Sequence, residues 1–281
     1  MQKYYKKYAA VFLLPLLACF TIAFLIPFFM GIFFSFTRYK AVDNWQWTGI
    51  VNYQRAFSTK YGVPPFWTAL GRTTLFAAIS IITINFNAFI LALLLTKGLK
   101  GSNTYRSIFF RPNLIGGIIL GYIWRVRLNG ILLLFDKNLG SNPWFSFFGL
   151  VILRNWQQVG YRMIIYIAAL MNVPTDLNES ASIDGASKFQ TTRRVTIPRI
   201  IPSFTICSFL TLSNSYKLYD QNLALSGLNE KTNLLAADII NTVVSKGNLG
   251  PQQAKAVVFF LIVAAISGIQ VRATRRKEVE A

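Results

Sequence analysis

Residues 154–162 read Arg-Asn-Trp-Gln-Gln-Val-Gly-Tyr-Arg within an otherwise apolar run from about Phe148 to Met171. A side-chain amide both donates and accepts hydrogen bonds, and an aromatic ring offers an apolar face. Together these groups match the hydroxyls and ring faces of a sugar. Polar groups in hydrocarbon are costly and turn toward a bundle interior or a water-filled cavity. A second polar run, Ser213-Asn214-Ser215-Tyr216-Lys217-Leu218-Tyr219, closes the next apolar run. The same residue types also hydrogen-bond helix to helix, so a solute cavity and an interhelical network are both open readings. Arg154 and Arg162 are equally open: either can snorkel, pair or face an acidic sugar. Asn85 and Asn87, in an earlier run, read as packing polar groups.

Other chemistries lack their residues. The chain has no His, which excludes His-based acid–base catalysis and His-ligated metals. Two Cys cannot build a structural zinc site, and Cys19 and Cys207 read as small buried apolar residues. No phosphate-cradling Gly-x-x-x-x-Gly-Lys-Ser/Thr stretch is present, so any ATP-driven step needs another subunit. No Asp or Glu lies well inside an apolar run, which weakens ion-coupled secondary transport and membrane-enzyme readings alike. No catalytic residue, cofactor or metal is expected.

The elements that must hold the polar runs follow from composition. Of 281 residues 53% are hydrophobic and only 14% charged, well below the roughly 25% of soluble domains. Six runs approach the length of about 20 residues that crosses a bilayer: Ala9–Phe36, Thr73–Thr96, Ile108–Trp124, Phe148–Met171, Ile201–Leu218 and Ala254–Val271. Pro112, Gly116, Gly117 and Gly121 soften the third. The first is preceded by a basic segment, Lys3, Lys6 and Lys7, as in a signal peptide. It continues seventeen residues past Cys19, so it is read as an uncleaved span. Trp45, Trp47 and Trp144 fit interfacial anchors. The net charge of +19 sits between the runs, which points to loops of a membrane protein rather than to nucleic acid. With the N-terminus inside, the cytoplasmic segments carry about twice the basic density of the outer ones. Both termini are therefore expected in the cytoplasm of a multi-pass plasma-membrane protein. The expected organisation is an N-terminal tail 1–8, a six-helix transmembrane domain 9–271 with a loop at about 172–200, and a C-terminal tail 272–281.

That loop is not loop-like in content. Pro174-Thr175-Asp176 predicts a helix start with Thr175 or Asp176 as N-cap. Leu177, Ala181 and Asp184 to Phe189 predict a short amphipathic helix, and Gly185 a tight turn or close backbone approach. Pro198 and Pro202 launch the fifth span. A helix–turn–helix follows, with Ser180, Ala181, Gly185 and Ala186 small enough for another protein to approach closely.

Glu179-Ser180-Ala181-x-x-Asp184-Gly185-Ala186, with Val195-Thr196-Ile197-Pro198 nine residues on, resembles the EAA loop of binding-protein-dependent ABC importer permeases. Trp47-Thr48-Gly49-Ile50-Val51-Asn52-Tyr53, Phe109-Phe110-Arg111-Pro112, Ile123-Trp124-Arg125, Ala168-Ala169-Leu170 and Val173-Pro174 resemble segments of the carbohydrate-type branch. The similarity covers roughly residues 10–275, and is to the first permease of maltose and multiple-sugar systems. Ser180 replaces the motif's second Ala, Thr192 stands where an aromatic is usual, and Ser226-Gly227-Leu228-Asn229 replaces a Gly-rich turn.

The resemblance implies an all-α membrane protein of the type I ABC importer permease fold, serving as a non-catalytic translocation subunit for a sugar or oligosaccharide. Importing a non-sugar solute, or less readily acting as a secondary transporter, is the alternative. The implied partners are a second homologous permease, an ATP-binding cassette ATPase dimer, an extracellular or periplasmic solute-binding protein and membrane lipid. It implies ATPase coupling through Glu179, Ser180, Ala181, Asp184, Gly185, Ala186 and Pro198. Matched to maltose-type permeases, the solute pocket falls on Gln157, Gln158, Tyr161, Ser215 and Leu218, with Asn214 adjacent.

Overall fold

The computed structural model describes residues 11, 13–41, 44–58, 66–227, 231–246 and 249–275. The expected N-terminal tail and the end of the C-terminal tail lie outside them. Two compact units emerge, Met1–Phe66 with Ile239–Leu261, and Trp67–Asp238 with Ile262–Ala281.

In the first unit, α1 (Leu13–Ser35) is long and apolar enough to cross a membrane. A single π turn, Thr21–Leu25, interrupts it just before Pro27. Proline has no N–H to return to the preceding turn and its ring crowds that carbonyl, so the ladder widens there. Cys19 is exposed on α1, contrary to the reading of a buried thiol, because none of the described residues covers it; Cys207 is buried as expected. A hairpin of β1 (Thr37–Ala41) and β2 (Asn44–Trp47) follows, then α2 (Val51–Phe57). Asn52 explains why this segment needs its residue types. Its fully buried amide donates to the carbonyls of Ser35 (2.9 Å) and Thr37 (2.7 Å), closing the orphaned end of α1. The Tyr53 hydroxyl shares a 2.7 Å hydrogen bond with Ser35.

The second unit contains most of α3 (Phe66–Leu95), then α4 (Ser102–Phe110), a 3-10 turn at Arg111–Leu114, α5 (Gly117–Leu133), α6 (Pro143–Met171), α7 (Thr175–Ile183), α8 (Lys188–Arg199), α9 (Ile201–Tyr216) and α10 (Asp220–Ser226). The chain continues through α11 (Leu235–Lys246) into α12 (Gly250–Arg275). Two apolar clusters hold the second unit. One gathers Phe76, Leu120, Leu150, Leu153, Leu218 and Leu225; the other Ile84, Ala88, Val159, Met163, Tyr166 and Cys207. On α6 the polar stretch 154–158 falls between them. Gly160 marks where α4 crosses α6: a Cβ there would run into the Phe109 backbone carbonyl. Asn85 and Asn87 are packing groups as expected. The Tyr166 hydroxyl donates to Asn85 at 2.8 Å, and Asn87 donates to Asn155 at 3.3 Å.

The described part of each of the six apolar runs is mainly helical, with corrected boundaries. The second, fourth and sixth begin earlier, at Phe66, Pro143 and Gly250, since a helix extends beyond its hydrocarbon-matched part. Asn142 caps the fourth, accepting from the Trp144 N–H at 2.9 Å. The third is not one softened span but two helices, α4 with its 3-10 turn and α5, bent by 99°. Ile115 and Gly116 take extended backbone between them. A 69° bend separates α8 from α9 at Ile200. Among the described residues α1, α3 and the 250–272 part of α12 pass as membrane-crossing helices alone, and the two bent pairs pass when each is taken together. The 29-residue α6 carries the polar run instead.

Candidate functional site

The break in the third run leaves the Ile115 carbonyl outside any helix, and α6 supplies its partner. Gln157 Nε2 donates to that carbonyl at 3.3 Å, while its Oε1 accepts from Arg154 Nη1 (2.8 Å) and Gln221 Nε2 (3.0 Å). One turn-mate away, Gln158 Nε2 donates to Asn113 Oδ1 at 3.0 Å. Arg154, Gln157 and Gln158 are all buried. Their amides therefore staple α6 to the break and to α10.

The same residues face a cavity of about 290 Å³. Arg154, Gln157 and Gln158 form the α6 wall; Asn214, Lys217 and Leu218 come from the end of α9, and Tyr219, Asp220 and Gln221 from the start of α10. The two readings of the polar run thus coexist: the amides bond between helices along one edge and front an open cavity along the other. Asn214 is exposed to the cavity and, among the described residues, hydrogen-bonds to nothing.

Four of the six matched pocket positions, Gln157, Gln158, Asn214 and Leu218, line this space, and two do not. Tyr161 sits just over a turn beyond Gln157, some 6 Å along the axis. Its ring packs at 6.4 Å from Phe110 and 5.0 Å from the Arg162 guanidinium, which places it off the cavity wall. Ser215 is buried and turns its hydroxyl back to the Thr211 carbonyl at 2.7 Å. Arg154, Lys217, Tyr219, Asp220 and Gln221 were absent from the expected pocket. Arg154 pairs within α6 as well as fronting the cavity. Arg162 is fully buried, donates through Nε to Thr211 Oγ1 (3.3 Å) and leaves Nη1 and Nη2 without a hydrogen-bond partner among the described residues.

The 172–200 segment forms the expected helix–turn–helix, with different internal bounds. Pro174, not Thr175 or Asp176, occupies the N-cap of α7, and no side chain caps it. The helix stops at Ile183, so Asp184–Ser187 is turn rather than amphipathic helix. The chemistry of the stop is a Schellman closure. The Ala186 N–H reaches the Ala181 carbonyl at 2.9 Å and the Gly185 N–H reaches Ser182 at 3.1 Å, with Gly185 at φ +77°. Ser187 immediately starts α8 with a capping box: its hydroxyl accepts from the Gln190 N–H (3.3 Å), and its own N–H donates to Gln190 Oε1 (2.7 Å). Two back-to-back caps fix the turn through bonds within the hairpin itself. Glu179, Ser180, Asp184 and Gly185 are exposed on this hairpin, Ala181, Ala186 and Pro198 half-buried. Sequence reading missed two large apolar residues in the hairpin, Ile183 at 86% and Phe189 at 74% exposed. Their apolarity amid polar neighbours was the available signal.

With hairpin, bent spans and polar α6 in place, residues 53–279 match the family described as binding-protein-dependent transport system inner membrane component, and the chain belongs to that family. It is similar over nearly its whole length to relatives of like size. One is the probable starch degradation products transport system permease protein AmyD of Thermoanaerobacterium thermosulfurigenes, 40% identical across 96% of this chain and 94% of that one. Another is the multiple sugar-binding transport system permease protein MsmF of Streptococcus mutans, 27% identical across 98% and 97%. A solved permease chain from a bacterial ABC transporter importing the acidic polysaccharide alginate shares the fold, with a TM-score of 0.80 at 19% identity, covering 98% of each chain. The expected family and fold are thus borne out. As in the rest of the family, the chain is a membrane permease subunit rather than an enzyme.

Proposed function

We propose that this chain is the translocation subunit of an ABC importer for a sugar or oligosaccharide. What carries the reading is the amide- and cation-lined cavity at the α6–α9–α10 junction, in a chain closely similar to permeases named for starch products and multiple sugars. Gln157, Gln158 and Asn214 offer hydroxyl-matching amides there, and Leu218 an apolar patch. The chain crosses the bacterial plasma membrane six times, counting α1, α3, the bent pair α4–α5, α6, the bent pair α8–α9 and α12. Both termini are cytoplasmic.

The α7–α8 hairpin then docks on a separate ATPase. Exposed Glu179 pairs with a basic group of that partner, while the small Ser180, Ala181 and Ala186 admit close seating. Because both of its caps are internal, the hairpin moves as a unit when the ATPase dimer closes. A second, homologous permease supplies the other hairpin, and a solute-binding protein delivers cargo on the outer side. The test is uptake into proteoliposomes holding this chain, its second permease, the ATPase and the binding protein. ATP-dependent uptake of a labelled maltodextrin or other oligosaccharide is expected. Uptake without ATP, or of no saccharide that the binding protein holds, overturns the reading. Ser187→Cys should be labelled only from the cytoplasmic side; labelling from outside intact cells overturns the orientation.

A further inference from the structure

A groove of about 540 Å³ opens between the last turns of α3 and the side of α8, sharing no residue with the polar cavity. Its floor is apolar: Phe89 and Leu93 from α3, Phe189 and Ile197 from α8. Its rim is cationic: Lys97 just past α3, with Lys188 and Arg193 on α8, all exposed. Among the described residues no carboxylate lines it. The floor continues the apolar outer face of α3, where Phe86 is 62% and Leu94 45% exposed. The division of apolar floor from cationic rim therefore falls where a membrane-crossing helix leaves hydrocarbon. An adjoining cavity of about 530 Å³ shares Leu93, Lys97, Lys188 and Thr192 with the groove and adds the hydroxyls of Thr96 and Thr196.

We propose that this groove is a binding site for one anionic phospholipid of the inner leaflet. An acyl chain lies on Phe89, Leu93, Phe189 and Ile197. The phosphate sits among Lys97, Lys188 and Arg193, and the polar remainder of the headgroup reaches the hydroxyl-lined cavity. A zwitterionic headgroup brings its own cation to the same rim and is disfavoured. Basic pockets beside spanning helices on the cytoplasmic side suit anionic headgroups for this reason. Phe189, costly to expose to water, is covered by lipid. Only the choice of leaflet rests on the proposed orientation: labelling of Ser187→Cys from outside would move the site to the outer leaflet without removing it.

The assembled transporter, extracted from vesicles of equal phosphatidylglycerol and phosphatidylcholine, is examined by native mass spectrometry for retained lipid. Phosphatidylglycerol should be retained over phosphatidylcholine. Each removed charge should lower its retention about fivefold, so Lys97→Gln with Arg193→Gln together should lower it about 25-fold. Lys100→Gln, outside the groove, should not. Equal retention of the two lipids, or a double variant that behaves as wild type, overturns the proposal. Where the double variant fails to assemble, benzoylphenylalanine in place of Phe189 in the otherwise unaltered chain decides. Photo-crosslinking to phosphatidylglycerol supports the site. Crosslinking to the second permease or the ATPase instead makes the groove a protein interface and overturns it.

Discussion

Replacing Gln157 with Leu removes an amide that holds three partners at once. Arg154 Nη1 loses its acceptor, Gln221 Nε2 loses its acceptor, and the Ile115 carbonyl at the break between α4 and α5 loses its donor. A hydrogen bond to a charged group is worth about 1.5–3 kcal/mol and a neutral one about 1 kcal/mol, so full loss costs about 3–5 kcal/mol. Arg154 and Gln221 also border the cavity, where water recovers part of this, leaving about 2–4 kcal/mol. Gln158→Leu breaks one bond, to Asn113, and should cost about 1 kcal/mol. At about 2–4 °C per kcal/mol for a chain of this size, Gln157→Leu should lower the unfolding midpoint by roughly 5–15 °C and Gln158→Leu by about 2–4 °C. The assay is the thermal transition of the purified complex at a fixed scan rate, with saccharide uptake measured in parallel. Equal midpoints for both variants and the wild type, with uptake falling alike in both, would refute the stapling role. The two amides would then act only on the solute.

Other substitutions separate the site's parts. Asn214→Ala removes a cavity amide with no hydrogen-bond partner among the described residues, so apparent saccharide affinity in uptake should fall about fivefold while the midpoint stays within 2 °C. Tyr161→Ala should leave uptake at limiting saccharide within twofold, since that ring packs on Phe110 and Arg162 rather than on the cavity. Gly160→Ala drives a methyl into the Phe109 carbonyl and should cost about 3 kcal/mol or more, read as a sharp fall in assembled complex by size-exclusion chromatography. Glu179→Lys should weaken ATPase co-purification and binding-protein-stimulated ATP hydrolysis while leaving the thermal midpoint unchanged, because that carboxylate is exposed.

How far the fold was legible follows the range of the interactions that set it. The hairpin at 175–199 was readable because its determinants are local. Gly185 ends one helix and Ser187 with Gln190 starts the next, within a few residues of chain. Even there the expected cap was misplaced, since Thr175 and Asp176 are good capping types but Pro174 already supplies the extended backbone before the first turn. The polar run on α6 was likewise visible as amides in an apolar stretch. Its partners were not, because each lies 42 or more positions away: Ile115, Asn113 and Gln221. The same range explains the third run. Pro112 and Gly116 announce a weak point, but a 99° break rather than a kink is tolerable only where another helix satisfies the freed carbonyl, and that helix is α6. Tyr161 shows the converse. Its spacing from Gln157 was correct for one helical face, yet α4, brought against Gly160 by long-range packing, ends that face a turn too early. Gln157 therefore ties the break to the cavity through one side chain. Any movement that opens the α4–α5 bend must break or carry with it the Gln157 bond to Ile115, and so must disturb the wall of the proposed solute cavity.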